Sequence, residues 1–138
     1  MTSLRHLGEL EVLREELRKS KNSGQICITI CGGTGCRALG SEELLAAIKA
    51  ELNHHRTKNV EVKLTGCHGL CERGPIVVIQ PEGIFYPGLR SENVPEVIQA
   101  ILADRVVDRL LYHDPSTGKP VIRQEDIPFY RKQKRLVL

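Results

Sequence analysis

Apolar residues recur along this chain with two different periods, and the switches between them mark out the elements. Leu4, Leu7, Leu10, Leu13 and Leu17 return every three or four residues among Arg, Glu and Lys, the spacing of one face of an amphipathic helix. Asn22, Ser23 and Gly24 end that pattern. In "QICITIC" the period falls to two, with Ile26, Ile28 and Ile30 alternating with Cys27 and Thr29, which predicts a strand running straight into Cys31. Ser41 then stands where it caps a helix, Glu42 and Glu43 fall in the first turn against the positive end of the dipole, and Leu44, Leu45, Ile48 and Leu52 make one apolar face ending near Asn53. "VEVKLT" restores alternation through Val60, Val62 and Leu64 and leads into Gly66 and Cys67. "PIVVIQ" and "GIFYP" are two further strands, separated by Pro81, Glu82 and Gly83, a turn short enough for an antiparallel hairpin. The unbroken run Ile76, Val77, Val78 and Ile79 predicts a strand covered on both faces. A last helix carries Val94, Val97, Ile98, Ile101 and Leu102, with Ser91 or Asn93 as its cap and Pro95 in its first turn.

The resulting order is βαββα, an α/β fold. Its opening strand, helix, strand unit is a right-handed crossover with parallel strands, so the loops after "QICITIC" and "VEVKLT" emerge at one edge of the sheet. Three regions follow. Residues 1–24 are an N-terminal amphipathic helix that packs on its own domain or on a partner, and residues 25–103 are the compact domain. Residues 104–138 change character, with the turn-rich "HDPSTGKP" and the basic "RKQKR" reading as a linker.

Composition narrows the function classes. A chain of 138 residues with 41% hydrophobic residues suits one globular domain with an appended helix or tail. Phe85, Phe129, Tyr86, Tyr112 and Tyr130 are its only aromatics, so the core rests on Ile, Leu and Val, and stacking platforms for single-stranded nucleic acid are not expected. The formal charge of +3 comes from 20 basic and 17 acidic residues interspersed along the chain, a solvated surface in place of a nucleic-acid footprint. No apolar stretch reaches the roughly 18 residues that span a bilayer, and no signal-peptide pattern opens the chain, so cytoplasmic residence without membrane contact is expected. There the five cysteines stay reduced, which favours metal ligation or catalysis over disulfides.

Four of those cysteines stand in two pairs, Cys31 and Cys36 in "CGGTGC", Cys67 and Cys71 in "TGCHGLCERGP". Brought to one edge by the crossover, they supply four soft sulfur ligands, the set that selects zinc or an iron–sulfur cluster. A [2Fe–2S] cluster needs two thiolates on each iron and backbone close to sulfur, which Gly32, Gly33, Gly35, Gly66, Gly69 and Gly74 permit. Zinc knuckles more often place two residues between paired cysteines, so a zinc-stabilised four-cysteine interaction module is the alternative reading. Exchanging redox thiols fit least well, because the C-x-x-C spacing that lowers a thiol pKa is absent.

"CGGTGC" together with "TGCHGLCERGPIVVIQPEGIFYPGL" resembles the thioredoxin-like [2Fe–2S] ferredoxins, including the 24-kDa-type subunit of respiratory NADH dehydrogenase, over about residues 25–103. The layout is similar, more closely still, to the N-terminal domain of the flavin-binding (51-kDa-like) subunit of NAD-dependent, electron-bifurcating hydrogenases and diaphorases. There a stretch like "LLYHDPSTGKPVIRQEDIPFYRKQKRLVL" leads into the FMN- and NADH-binding domain, a domain absent from these 138 residues. The resemblance implies a thioredoxin-like ferredoxin fold with an N-terminal helix and a C-terminal extension, a [2Fe–2S] cluster on Cys31, Cys36, Cys67 and Cys71, and one-electron relay to or from a flavin-linked NAD(H) oxidoreductase. No catalysis is expected of this chain alone, and the exposed leucine stripe makes a homodimer plausible.

Other candidates have plainer roles. Cys27 falls outside the family's pattern and reads as a small buried core thiol. His68 sits between the second pair, but a Rieske-type iron takes two histidines. His54 and His55 read as a solvated helix C-terminus. Arg37 and Arg73 flank the cysteine loops, where they raise a cluster's potential or simply serve solubility.

Overall fold

The computed structural model describes residues 6–21 and 24–134. Leu4 of the leader stripe, Asn22 and Ser23 of the break, and Arg135, Leu136, Val137 and Leu138 of the tail lie outside the described residues.

Alternation translates directly into a sheet with two differently covered faces. Strands β1 (Ile26–Cys31), β2 (Val60–Thr65), β3 (Val77–Gln80) and β4 (Ile84–Tyr86) lie in the order β2-β1-β3-β4. β1 pairs parallel with β2 and antiparallel with β3, and β3 and β4 form the expected hairpin, closed by Gly83 at φ +74. Ile28, Ile30, Val77 and Ile79 point to one face, where helices α3 (Ser41–His54) and α4 (Val94–Leu102) cover them with Leu44, Ile48, Leu52, Val97, Ile98 and Ile101. Val78 and Phe85 point the other way, onto Ile127 and Tyr130. The β3 run is therefore covered on both faces, as its lack of alternation predicts.

Several local expectations change. The glycine-rich loop after β1 contains a short helix, α2 (Thr34–Ala38), closed by the Arg37 N–H on the Gly33 carbonyl at 2.9 Å. Ser41 is the first helical residue of α3 rather than its cap: Gly40, at φ +98, takes the cap position, and the buried Ser41 hydroxyl has no hydrogen-bond partner. Asn93 precedes α4, but its side chain accepts from the Arg90 N–H at 3.1 Å instead of capping the helix.

The stretch read as a linker is, over its described part, folded onto the sheet. Val107 donates its N–H to the buried Tyr86 hydroxyl at 3.1 Å. A two-stranded ribbon of β5 (Tyr112–His113) and β6 (Pro120–Val121) leads to hydrogen bonds from Phe85 N–H to Ile122 O and from Gln124 N–H to Gly83 O, so the segment lines the β4 edge. Helix α5 (Pro128–Arg131) then places Tyr130 beside Phe85, with ring centroids 5.8 Å apart. Ile127 is 0% exposed. Ile127→Ala is accordingly expected to cost about 2–5 kcal/mol, the range for emptying a buried aliphatic site. Urea denaturation checks this, and an unchanged midpoint would place the segment outside the cooperative core.

Helix α1 (Leu7–Lys21) does the opposite. Apart from Glu9, its residues 7–20 are exposed, Leu7 at 79% and Leu17 at 56%, so the apolar stripe faces solvent.

Candidate metal centre

Strand pairing carries both cysteine segments to one edge. Cys31, the last residue of β1, lies opposite Thr65, the last of β2, and the Gly32 N–H donates to Thr65 O at 2.9 Å. Cys36 rides on α2, and Cys71 opens a 3-10 turn (Cys71–Arg73). The four thiols expected from the sequence are thus brought together, with unequal cover: Cys31 and Cys36 are buried at 0% and 1% exposure, whereas Cys67 and Cys71 face solvent.

Their sulfurs interact across the pairs as well as within them. Cys67 and Cys71 Sγ lie 3.6 Å apart. Cys31 acts on both Cys36 and Cys67, raising Cys36 within the inner pair and lowering Cys67 across the pairs. Burial, followed by the Cys31 thiol, pushes Cys36 up to about 11. The Gly69 N–H, donated to Cys67 Sγ at 3.3 Å, draws Cys67 down, with Cys71 adding to the effect. Cys71 is raised, first by its hydrogen bond with Cys67 and then by that neighbour's charge. A thiol as weakly acidic as Cys36 is protonated at neutral pH, so a metal taken up there displaces a proton.

The backbone around the thiols lies close against them, most tightly at Gly74. A β-carbon on Gly33 would meet Cys67 Cβ at 3.1 Å, one on Gly35 would meet Cys71 Cβ at 3.2 Å, and one on Gly74 would meet Cys36 Sγ at 2.8 Å. Each loop lies bare against the sulfurs of the other, which is the close backbone approach a sulfur-ligated cluster needs. Four convergent thiols in such a cradle form a donor set for a soft metal or an iron–sulfur cluster.

The remaining candidates separate from this centre. Cys27 is half-buried and lines a groove of about 900 Å³ with Thr29, Glu61 and Lys63, a correction to its reading as a core thiol. Alternation puts it on the face away from α3 and α4, and the extension covers that face mainly over β3 and β4. Both ring nitrogens of His68 are engaged, Nε2 with Thr65 Oγ1 at 3.0 Å and Nδ1 with Gln124 Nε2 at 2.9 Å. His55 pairs with Glu51 at 3.1 Å, at the far end of α3 from the thiols. Arg37 pairs with Glu42, and Arg73 lies over the Tyr112 ring at 5.7 Å, so each guanidinium has a structural partner of its own. Gln124 and Phe129 at the cysteine loop were not legible beforehand; the only signal was the apolar cluster Ile127, Phe129 and Tyr130 inside a polar stretch.

A sheet that gathers four thiols at one edge places the chain among proteins with a candidate sulfur-ligated metal or iron–sulfur centre. The family model for thioredoxin-like [2Fe–2S] ferredoxins matches residues 17–102, and the chain belongs to that family. It is similar to a 2Fe–2S ferredoxin of Clostridium pasteurianum, 35% identical over 77 residues that make 54% of this chain and 76% of that one. A 2Fe–2S ferredoxin of Aquifex aeolicus is 32% identical over 88 residues, 62% of this chain and 77% of its own. A solved thioredoxin-like [2Fe–2S] ferredoxin from Aquifex aeolicus superposes with a TM-score of 0.57 at 25% identity, covering 64% of this chain and 90% of that structure. The fold is thioredoxin-like, the cofactor is a [2Fe–2S] cluster and the function is one-electron transfer. Among the described residues no helix is long and apolar enough to cross a membrane.

Proposed function

We propose that Cys31, Cys36, Cys67 and Cys71 hold the [2Fe–2S] cluster and that the protein relays single electrons to or from a flavin-linked NAD(H) oxidoreductase of the bifurcating-hydrogenase or diaphorase type, in the cytoplasm. The convergence of the four thiols in the glycine cradle carries the ligand assignment. Similarity of the stretch after residue 110 to the lead-in of flavin-binding subunits supports the choice of partner. The cluster supplies the one-electron chemistry when bound, and the chain supplies ligation, burial of the inner pair and the Gly69 N–H on Cys67.

Iron and sulfide analysis with EPR of the dithionite-reduced protein tests the assignment. The expected result is iron and sulfide in equal amounts and a signal from one unpaired electron; a colourless protein holding zinc would favour the four-cysteine interaction module instead. All-thiolate ligation with an exposed outer pair should set the midpoint low, nearer about −400 mV than the range of His-ligated centres. Voltammetry checks this, and a midpoint above zero would overturn it. NADH should reduce the protein only when a flavoprotein is added, since these 138 residues contain no glycine-rich nucleotide-binding motif. Pairing of two copies through the exposed leucines of α1 is part of the same proposal, and light scattering that finds a monomer at every concentration would remove it.

A further inference from the structure

The stretch of chain beyond the family match reaches back to the exposed half of the thiol site. The match ends at residue 102, yet Gln124 and Phe129 both contact the loop between Cys67 and Cys71. Gln124 Nε2 donates to His68 Nδ1 at 2.9 Å. That leaves the ring proton on Nε2, which donates to Thr65 Oγ1 at 3.0 Å. His68 is thereby strung between the end of β2 and the C-terminal segment. The next residue, Gly69, sits at φ +84, and the edge of the Phe129 ring lies 3.6 Å from where its β-carbon would be.

These contacts bracket a peptide that donates directly to a sulfur of the exposed pair. The Gly69 N–H is donated to Cys67 Sγ, and Gly69, Cys67 and Cys71 are all exposed. A glycine in the left-handed region of an exposed loop has many alternative conformations open to it, and few of them keep this N–H aimed at the sulfur. Packing on Tyr130 does not by itself account for Phe129, which stays 42% exposed while its ring edge lies against Gly69. We propose that Gln124 and Phe129 are positioning residues that fix residues 66–70, so that the Gly69 N–H stays on Cys67 Sγ and the outward half of the cluster site keeps its shape. This rests on the reading of Cys67 and Cys71 as ligands. Each acts through the loop, Gln124 on His68 and Phe129 at Gly69. Backbone donors to ligand sulfur tune a cluster electronically, and loss of such supporting partners typically weakens metal retention roughly 10–100-fold.

The test uses the cluster-loaded full chain with Gln124→Ala, Phe129→Ala and the conservative Phe129→Leu. Bleaching of visible absorbance by an excess of an iron chelator is expected to run roughly 10-fold faster in the two alanine variants and to return toward the wild-type rate in Phe129→Leu. The EPR g-values of the dithionite-reduced alanine variants should move from the wild-type positions and be restored in Phe129→Leu, a change that general loss of stability would not produce. Wild-type bleaching rates and g-values in both alanine variants, in a wild type shown to carry iron and sulfide, would overturn this assignment alone. A wild type without iron and sulfide would overturn the ligand reading, and this assignment with it.

Discussion

Alanine at any one of Cys31, Cys36, Cys67 or Cys71 is expected to abolish or nearly abolish cluster retention, whereas alanine at Cys27 leaves it in place. Each iron of the cluster takes two thiolates, and no fifth thiol stands within the cradle to substitute for a missing one: Cys27 lines the groove on the open sheet face with Lys63 and Thr29. The two halves of the site should fail differently. Cys31 and Cys36 are buried, so their loss also leaves a void beside Ile76 and Val78 and lowers the stability of the metal-free chain. Cys67 and Cys71 are exposed, and their loss should empty the site while the metal-free chain unfolds at the wild-type urea concentration. Iron and sulfide per chain, measured with the visible spectrum, decide the matter; equal iron in the wild type and all four variants would end the ligand assignment.

Gly74→Ala is expected to produce the largest effect of any substitution that leaves the thiols in place. Its new methyl group would lie 2.8 Å from Cys36 Sγ, 3.2 Å from Leu39 Cδ1 and 3.3 Å from the Cys71 carbonyl oxygen. Leu39 is exposed and free to give way, but Cys36 is buried on α2 and the carbonyl belongs to the turn that presents Cys71. Overpacking of this kind costs about 1–3 kcal/mol, and here it moves two candidate ligands away from their partners. Iron content should therefore fall along with the urea midpoint. Gly8→Ala makes the control, since a β-carbon there meets nothing within 4 Å. Equal iron retention in the two variants would show that the cradle does not depend on close approach at Gly74.

Sequence made the site legible because its determinants are local. Period-two alternation sets β1 and β2, glycines and cysteines follow both strands directly, and the handedness of the crossover brings the two loops together. Where the reading changed, a distant segment or a backbone conformation decided the outcome. Ser41 has the chemistry of a cap, but Gly40 at φ +98 takes the turn one residue earlier. Cys27 shares a face with Cys31, yet the cover on that face arrives from Ile127 and Tyr130, about a hundred residues along the chain, and protects Cys31 while leaving Cys27 half open. Those two apolar residues stand among Arg, Glu, Asp and Lys, a context that reads as linker until β3 and β4 supply the surface they bury against.

The solvent-facing stripe on α1 gives the molecule a property that its sheet does not have. A helix of 15 residues is marginal in water when little packs on it, and the leucines of α1 are exposed to solvent. Where copies pair through those leucines, the order of α1 becomes a matter of mass action. Dilution should then unwind the leader and weaken the far-ultraviolet helical signal while the visible colour of the cluster stays constant. With such pairing, one part of the chain would be ordered by contacts made within the molecule, and the other by how many copies surround it.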